Sequence, residues 1–366
     1  MAWYKRVLAA TLAAATLWGC STLAASQADP ATLSSDIAYF LIQRELSNHL
    51  ASGELSLASL ILLRQSPLLR SMVRRKNASD TGLEYLPLPS APNIPSVTAD
   101  PLTYEDNGIP SQTVMPSNPA GYTVVNGVYI KNASSKTLEQ SVLSTPGFAA
   151  VLKDASPQIL IVHTHGSEAY AMPKGKGYVA TGTYRTADTA CNVVRIGDEI
   201  ASVLSSYGLS IVHDRTLYDD PLYDGSYERS AAGITEYLEK YPSITYVLDI
   251  HRDAVQDSSG QQYKLITKED PHCAQISFIM GSDNDHWQEN LKLAIAASAA
   301  IAESSPTAMR PITLRNSNYN QHLTSGSMLV EIGTAGNSLD EALTAGRLFA
   351  RGFAAAVLEN AGIDAD

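Results

Sequence analysis

Cysteine is almost absent from this chain: Cys20, Cys191 and Cys273 are the only three in 366 residues. That is too few for a disulfide framework, and their spacings fit no zinc-thiolate motif. Cys191 and Cys273 could pair or remain two buried free thiols. Aromatic residues make up 7% and charged residues 17%, against 45% hydrophobic, a balance that excludes a wholly disordered, fibrous or multi-span membrane protein. Basic charge is in deficit, with 26 Lys and Arg against 37 Asp and Glu and a formal charge of −11. Nucleic acid would meet repulsion at long range, so no nucleic-acid partner is expected. There is no glycine-rich phosphate loop, no GxSxG elbow and no internal repeat, which disfavours nucleotide enzymes, serine hydrolases and solenoids.

What is present is unevenly distributed. Residues 1–151 carry ten basic and ten acidic side chains, while residues 152–366 carry 16 and 27, so the whole net charge lies in the second part. At the start, Lys5 and Arg6 precede 22 uncharged residues, Val7 to Ala28, ended by Asp29. This pattern predicts a signal or membrane anchor over residues 1–28, long enough to span a bilayer and oriented with the following chain outside the cytoplasm. Leu17-Trp18-Gly19-Cys20 also resembles a bacterial lipoprotein cleavage site, so an uncleaved anchor, a lipidated Cys20 and a cleaved signal all stay open. Residues 29–80 read as membrane-proximal helices, with Ile37, Phe40, Leu41, Leu46 and Leu50 at helical spacing and Arg74-Arg75-Lys76 at the end. Residues 81–120 hold eight of the 18 prolines and read as an extended linker. At polyproline geometry it would reach roughly 100 Å.

From residue 121 to 366 the pattern is that of one globular domain. Tyr122 to Ile130 reads as a hairpin turned at Asn126-Gly127. Strands are then predicted at Gln158–Val162, Leu209–His213, Ile244–Ile250, Tyr263–Ile266, Gln275–Met280 and Met328–Ile332. Helices are predicted between them at Ala190–Ser206, Tyr227–Lys240, Trp287–Ala302 and Leu339–Glu359. Such alternation predicts an α/β fold with a mainly parallel sheet flanked by helices.

In such a fold, ligands bind beyond the carboxyl ends of the strands. Three apolar runs end in polar clusters there: Ile159-Leu-Ile-Val162 in His163-Thr-His165-Gly-Ser-Glu168, Val247 to Ile250 in His251-Arg252-Asp253, and Met328-Leu-Val330 in Glu331. A catalytic zinc site needs three nitrogen or oxygen ligands and an open position. His165, Glu168 and His251 could supply the ligands, with His163 competing with His165, and Glu331 is the candidate general base. Arg252, Arg310, Arg315 and Asn320 are candidate contacts to a peptide carboxylate or amide. His213 and Asp214 could line the same cleft or serve as structural hydrogen-bonding groups.

The runs His163-Thr-His-Gly-Ser-Glu-Ala-Tyr170, Asn192-Val-Val-Arg-Ile-Gly197, Asp249-Ile-His-Arg-Asp-Ala254, Tyr319-Asn-Gln321, Leu329-Val-Glu-Ile-Gly333 and Asn337-Ser-Leu-Asp-Glu-Ala342 together resemble the stage II sporulation protein P family over about residues 121 to 360. The resemblance implies a membrane-anchored peptidoglycan hydrolase with zinc-dependent N-acetylmuramoyl-L-alanine amidase activity and an endopeptidase activity on cross-linked stem peptides. It further implies a zinc amidase or carboxypeptidase fold, action at the sporulation septum and during engulfment, and stage II sporulation proteins D and M as partners. His165 is preferred to His163 because HxxE is the ligand spacing of zinc carboxypeptidases. Gly166 stands where the family pattern has Thr, and His322 where it has Asp, departures that touch substrate contacts and leave the ligand set intact. The alternatives are a zinc peptidase of wall peptides and a non-catalytic wall-binding scaffold.

Overall fold

A computed structural model describes residues 108–145, 148, 156–172 and 176–363. The expected anchor at 1–28, the helices at 29–80 and most of the Pro-rich stretch lie outside the described residues. The described residues all belong to one compact unit. Among them, no helix is long and apolar enough to cross a membrane.

The unit is built on an eight-stranded mixed sheet. Its centre is β4 (Ile159–Val162), β6 (Tyr246–Asp253) and β10 (Gly326–Thr334), all parallel, with β5 (Ile211–His213) parallel on the outer side of β4. On the other side β8 (Ile276–Gly281) runs antiparallel to β10. β9 (Ile312–Arg315) and β3 (Val128–Ala133) follow β8 in parallel, and β2 (Thr123–Val125) closes the edge as the hairpin partner of β3. The expected hairpin turns at Asn126 and Gly127, both at positive φ, as a two-residue turn of this kind requires. Two parallel blocks thus meet back to back, so the sheet is mainly parallel and mixed, and β9 is a strand that sequence pattern did not reveal.

Residues of the Pro-rich stretch join the same unit. β1 (Ser111–Gln112) pairs in parallel with β7 (Lys264–Leu265) as a separate two-stranded ribbon. Val114 and Gln275 exchange hydrogen bonds next to it, Val114 N donating to Oε1 at 2.8 Å. Extended backbone of this kind needs partners for its N–H and C=O groups once it is covered, and here β7 and Gln275 supply them.

Helices α2 (Val193–Ser206), α4 (Trp287–Ser304) and α5 (Leu339–Asn360) bury their apolar stripes on one face, with short α1 (Gln140–Leu143) at the rim. Helix α3 (Ser226–Lys240) covers part of the other. The alternation along β4 shows why its run is continuously apolar: Ile159 and Ile161 enter the three-helix core, while Leu160 and Val162 pack under α3. Local chemistry sets the helix ends. The Asn192 side chain accepts the Val194 N–H at the start of α2, and Ser338 with Glu341 forms a reciprocal capping box on α5. Cys191 and Cys273 are both free thiols, so the possible pair is not made.

Candidate active site

Register brings the site together. In the β6–β10 pair, Glu331 lies directly opposite His251, so both side chains emerge on the same face. Asp249 and Asp253 share that face with His251, because side chains two apart in a strand point the same way. β4 ends one strand over, and the chain then turns so that Glu168 N–H donates to the His165 carbonyl at 3.1 Å. This turn places the rings of His165 and His251 edge to face, 5.2 Å between centroids. Glu168 Oε2 lies 3.5 Å from His251 Nδ1 and accepts the Arg252 N–H at 3.1 Å.

His163 takes no part in this group. Its Nδ1–H donates to the Ile250 carbonyl at 3.0 Å, and its Nε2 lies 2.8 Å from Nε2 of His213, whose Nδ1 is 3.2 Å from Asp198. Burial holds His163 down to about 3, so it is neutral. The pair packs against Gly197 of α2, where a Cβ would come within 2.6 Å of both rings. Asp214 likewise stays structural, accepting from Thr216 and from the Tyr218 hydroxyl at 2.6 Å.

The electrostatics of the site follow from burial and neighbours. Burial, and then His251, pull His165 down to about 4, leaving an uncharged imidazole at neutral pH. Burial opposes ionisation of Glu168, yet Arg252 and His251 hold it at about 2. Burial also opposes charge on His251, but Asp249 and Glu168 lift it well above the ordinary imidazole range. Glu331 is pushed up to about 8, mainly by burial. Its Oε2 is buried without a hydrogen bond among the described residues. His251 Nε2 is also buried without one, although Asp249 Oδ1 is 2.9 Å away; the contact is electrostatic rather than directed.

Several residues around the site had no signal in the sequence. His165 stacks on Tyr223 at 4.5 Å, with the Tyr223 hydroxyl 3.1 Å from Nε2 and Ser226 Oγ 3.3 Å from Nδ1. Tyr227, at the start of α3, packs edge-on against the same ring. Asp219 is buried and accepts from Ser167 N, Ser167 Oγ and Arg185. These residues lie in loops or on the first turn of a helix, where no periodicity marks them. Asp249 was the exception, since its position two before His251 in a strand puts the two side chains on one face.

The four expected substrate contacts do not stand together. Arg252 turns inward, donating from Nε to Ala169 O and from Nη2 to Tyr184 O, with Nη1 3.7 Å from Glu168. Its position after His251 alternates it to the opposite side of the strand, where it ties down the loops behind the site. Arg315 ends β9, which runs opposite to β10, so it lies at the far end of the sheet, level with Gly281. Arg310, at the near end, pairs with Asp253 at 2.7 Å. The Asn320 amide donates to Tyr227 O and Ser230 Oγ, fixing the following loop to α3.

Among the described residues, no three His, Cys, Asp or Glu side chains stand as a finished metal cage. The donor chemistry nonetheless fits a divalent cation. The neutral His165 imidazole packs on the His251 ring, whose Nδ1 faces the ionised carboxylate of Glu168 while its Nε2 faces a further carboxylate, Asp249.

Residues 109–354 match the family model of Stage II sporulation protein P (SpoIIP). Stage II sporulation protein P of Bacillus subtilis (strain 168) is 27% identical over 194 residues, covering 50% of this chain and 47% of that protein, so the match spans about half of each. Among solved structures, the N-acetylmuramoyl-L-alanine amidase AmiC2 of Nostoc punctiforme is 16% identical with a TM-score of 0.34, covering 55% of this chain and 96% of its own. The CwlD amidase from Clostridioides difficile, solved in complex with the GerS lipoprotein, is 15% identical with a TM-score of 0.36, covering 57% of this chain and 100% of its own.

Proposed function

The chain belongs to the Stage II sporulation protein P family, and on that premise we propose that it is a peptidoglycan hydrolase, a zinc-dependent N-acetylmuramoyl-L-alanine amidase. The observation that carries the reading is the convergence of His165, Glu168 and His251 beside Glu331, a carboxyl raised to about 8 and opposite His251 in register. The cleaved bond in this reading joins the lactyl group of muramic acid to L-alanine. Membrane attachment through residues 1–28, work at the sporulation septum and assembly with stage II sporulation proteins D and M belong to the same proposal.

His165, Glu168 and His251 would hold the zinc ion, which supplies Lewis acidity at the scissile carbonyl. The chain's own groups do the rest. Neutral His165 offers a lone pair because burial keeps the proton off. Arg252, with His251, holds Glu168 ionised, and Arg185 Nη2 donates to it at 3.4 Å. Asp249, 2.9 Å from His251 Nε2, favours a proton on that nitrogen and leaves Nδ1 on the Glu168 side. Glu331 takes a proton from the attacking water and delivers it to the departing nitrogen, a task that suits a carboxyl whose proton affinity is raised towards neutrality.

Mass spectrometry of purified wall digested by the protein tests the reading. Intact stem peptides released from glycan are expected. Cross-links split between stem peptides would make it an endopeptidase instead. No soluble product from wild type, with or without added Zn²⁺, would leave only a wall-binding role.

A further inference from the structure

The described residues expose few large apolar side chains, and four of the six sit in two loops beside the site: Val179 (85% exposed), Tyr184 (38%), Leu222 (67%) and Tyr223 (52%). The other two, Val114 and Ile363, lie near the ends of the described chain. Exposed apolar residues gathered in one place on an otherwise polar surface mark an interaction site.

These four are not fraying loop tips. Each has its carbonyl held by a hydrogen bond. Val179 O accepts from Thr186 Oγ1 at 2.7 Å, and Tyr184 O from Arg252 Nη2 and Ala169 N at 2.8 and 3.0 Å. Leu222 O accepts from Arg229 Nη2, and Tyr223 O from Ser226 N at 3.2 Å. Tyr184 is held at a φ of +53°, a conformation that costs a side-chain-bearing residue energy and is kept here by its surroundings. The backbone is therefore fixed and the apolar groups are presented outward, an arrangement that lowers the entropy lost on binding.

Arg185 joins the two loops. It follows Tyr184, its guanidinium lies 4.7 Å from the Tyr223 ring, and its Nη1 pairs with Asp219 at 2.6 Å. Tyr223 in turn stacks on His165, so the patch runs without interruption into the site. The domain is also strongly acidic, with 27 acidic against 16 basic side chains from residue 152 onward. Long-range attraction to an anionic wall is absent, which leaves contact-range burial as the means of holding it.

We propose that Val179, Tyr184, Leu222 and Tyr223 form the docking rim for a peptidoglycan strand, receiving the uncharged stretch of sugar, lactyl group and first alanine next to the scissile amide. A sugar C–H face stacks on the Tyr184 ring, the exposed edge of Tyr223 bounds it because the faces of that ring are taken by His165 and Arg185, and the acetyl, lactyl and alanyl methyl groups meet Val179 and Leu222. This rests on peptidoglycan being the substrate.

The test separates binding from hydrolysis. The full chain in detergent, carrying Glu331→Gln to stop turnover, is cosedimented with purified peptidoglycan sacculi, alone and with Tyr184→Ser plus Leu222→Ser. The double change is expected to weaken binding at least tenfold with an unchanged circular dichroism spectrum. In the active background it should slow cleavage of a small soluble muramyl peptide as well as digestion of sacculi, since both carry the sugar, lactyl group and first alanine. Undiminished cosedimentation, or failure of the Glu331→Gln parent to bind sacculi, overturns the rim while wild-type digestion still judges the hydrolase reading. A dimer seen by gel filtration that the double change dissolves would assign the patch to a second copy of the chain and overturn it equally.

Discussion

The two faces of the same three strands make a sharp contrast. On one side of β4, β6 and β10, Ile159, Ile161, Leu248, Ile250 and Val330 disappear into a dry core under α2, α4 and α5. On the other, Leu160, Val162 and Val247 are apolar only as far as α3 reaches, and beyond its first turn the face becomes Asp249, His251 and Glu331. A shift of one residue along a strand separates a side chain in the core from one that faces the candidate site. Neighbouring positions should therefore fail in different ways, and substitutions can test that.

The largest contrast is in rate. Glu331→Gln should lower wall hydrolysis by about 10²–10⁴-fold, the range for a lost general acid–base, with a melting curve no worse than wild type. Digestion as fast as wild type would remove Glu331 from the mechanism. Its neighbour Val330, on the dry face, should behave in the opposite manner. Val330→Ala leaves a cavity and should cost roughly 1–4 kcal/mol in urea unfolding, while residual folded enzyme keeps its turnover.

A pH series sharpens the comparison further. Glu331 ordinarily titrates near 4.5 and is raised to about 8 in the folded protein. Between those values the unfolded chain has released this proton and the folded metal-free protein still holds it, so the contribution to stability is full below the lower value and is lost as pH rises through the higher. Urea melts of the metal-free protein from about pH 5 to pH 8 should thus slope downward more steeply for wild type than for Glu331→Gln. Parallel slopes would mean that the carboxyl is ionised throughout.

The smallest effect concerns the histidine that stays out of the site. Gly197→Ala puts a Cβ 2.5 Å from His213 Nε2 and 2.6 Å from His163 Nε2. Overpacking of this kind typically costs about 1–3 kcal/mol, read by thermal melts, with the His163 and His213 imidazole signals displaced in NMR spectra. Unchanged signals would show that the pair does not depend on the glycine.

Much of this was legible beforehand. The apolar runs ending in His163-Thr-His165, His251 and Glu331 marked the site, because a buried parallel strand must be apolar and its carboxyl end is where the chain becomes free to carry polar groups. The helices were legible from the spacing of their apolar residues, although α2 starts at Val193, three residues later than expected, where Asn192 caps it. The places of Arg252, Arg315 and Asn320 were not legible, because nearness in sequence says nothing about which side of a strand, or which end of an antiparallel neighbour, a side chain occupies. β9 was hidden because Ile312-Thr-Leu-Arg315 has only two apolar residues, whereas β4, of the same length, is apolar throughout.

The sequence by itself determined the class of fold, the family and the residue types of the site, since periodicity, capping and motif order are local properties of the chain. Only the tertiary structure decided that His165 rather than His163 meets Glu168 and His251, that Asp249 backs His251, and that Tyr223 lies on His165 at the edge of an apolar rim. Those outcomes depend on which strands become neighbours and in what register, and burial between such neighbours is what drives the carboxyl of Glu331 towards neutral pH while keeping His165 uncharged.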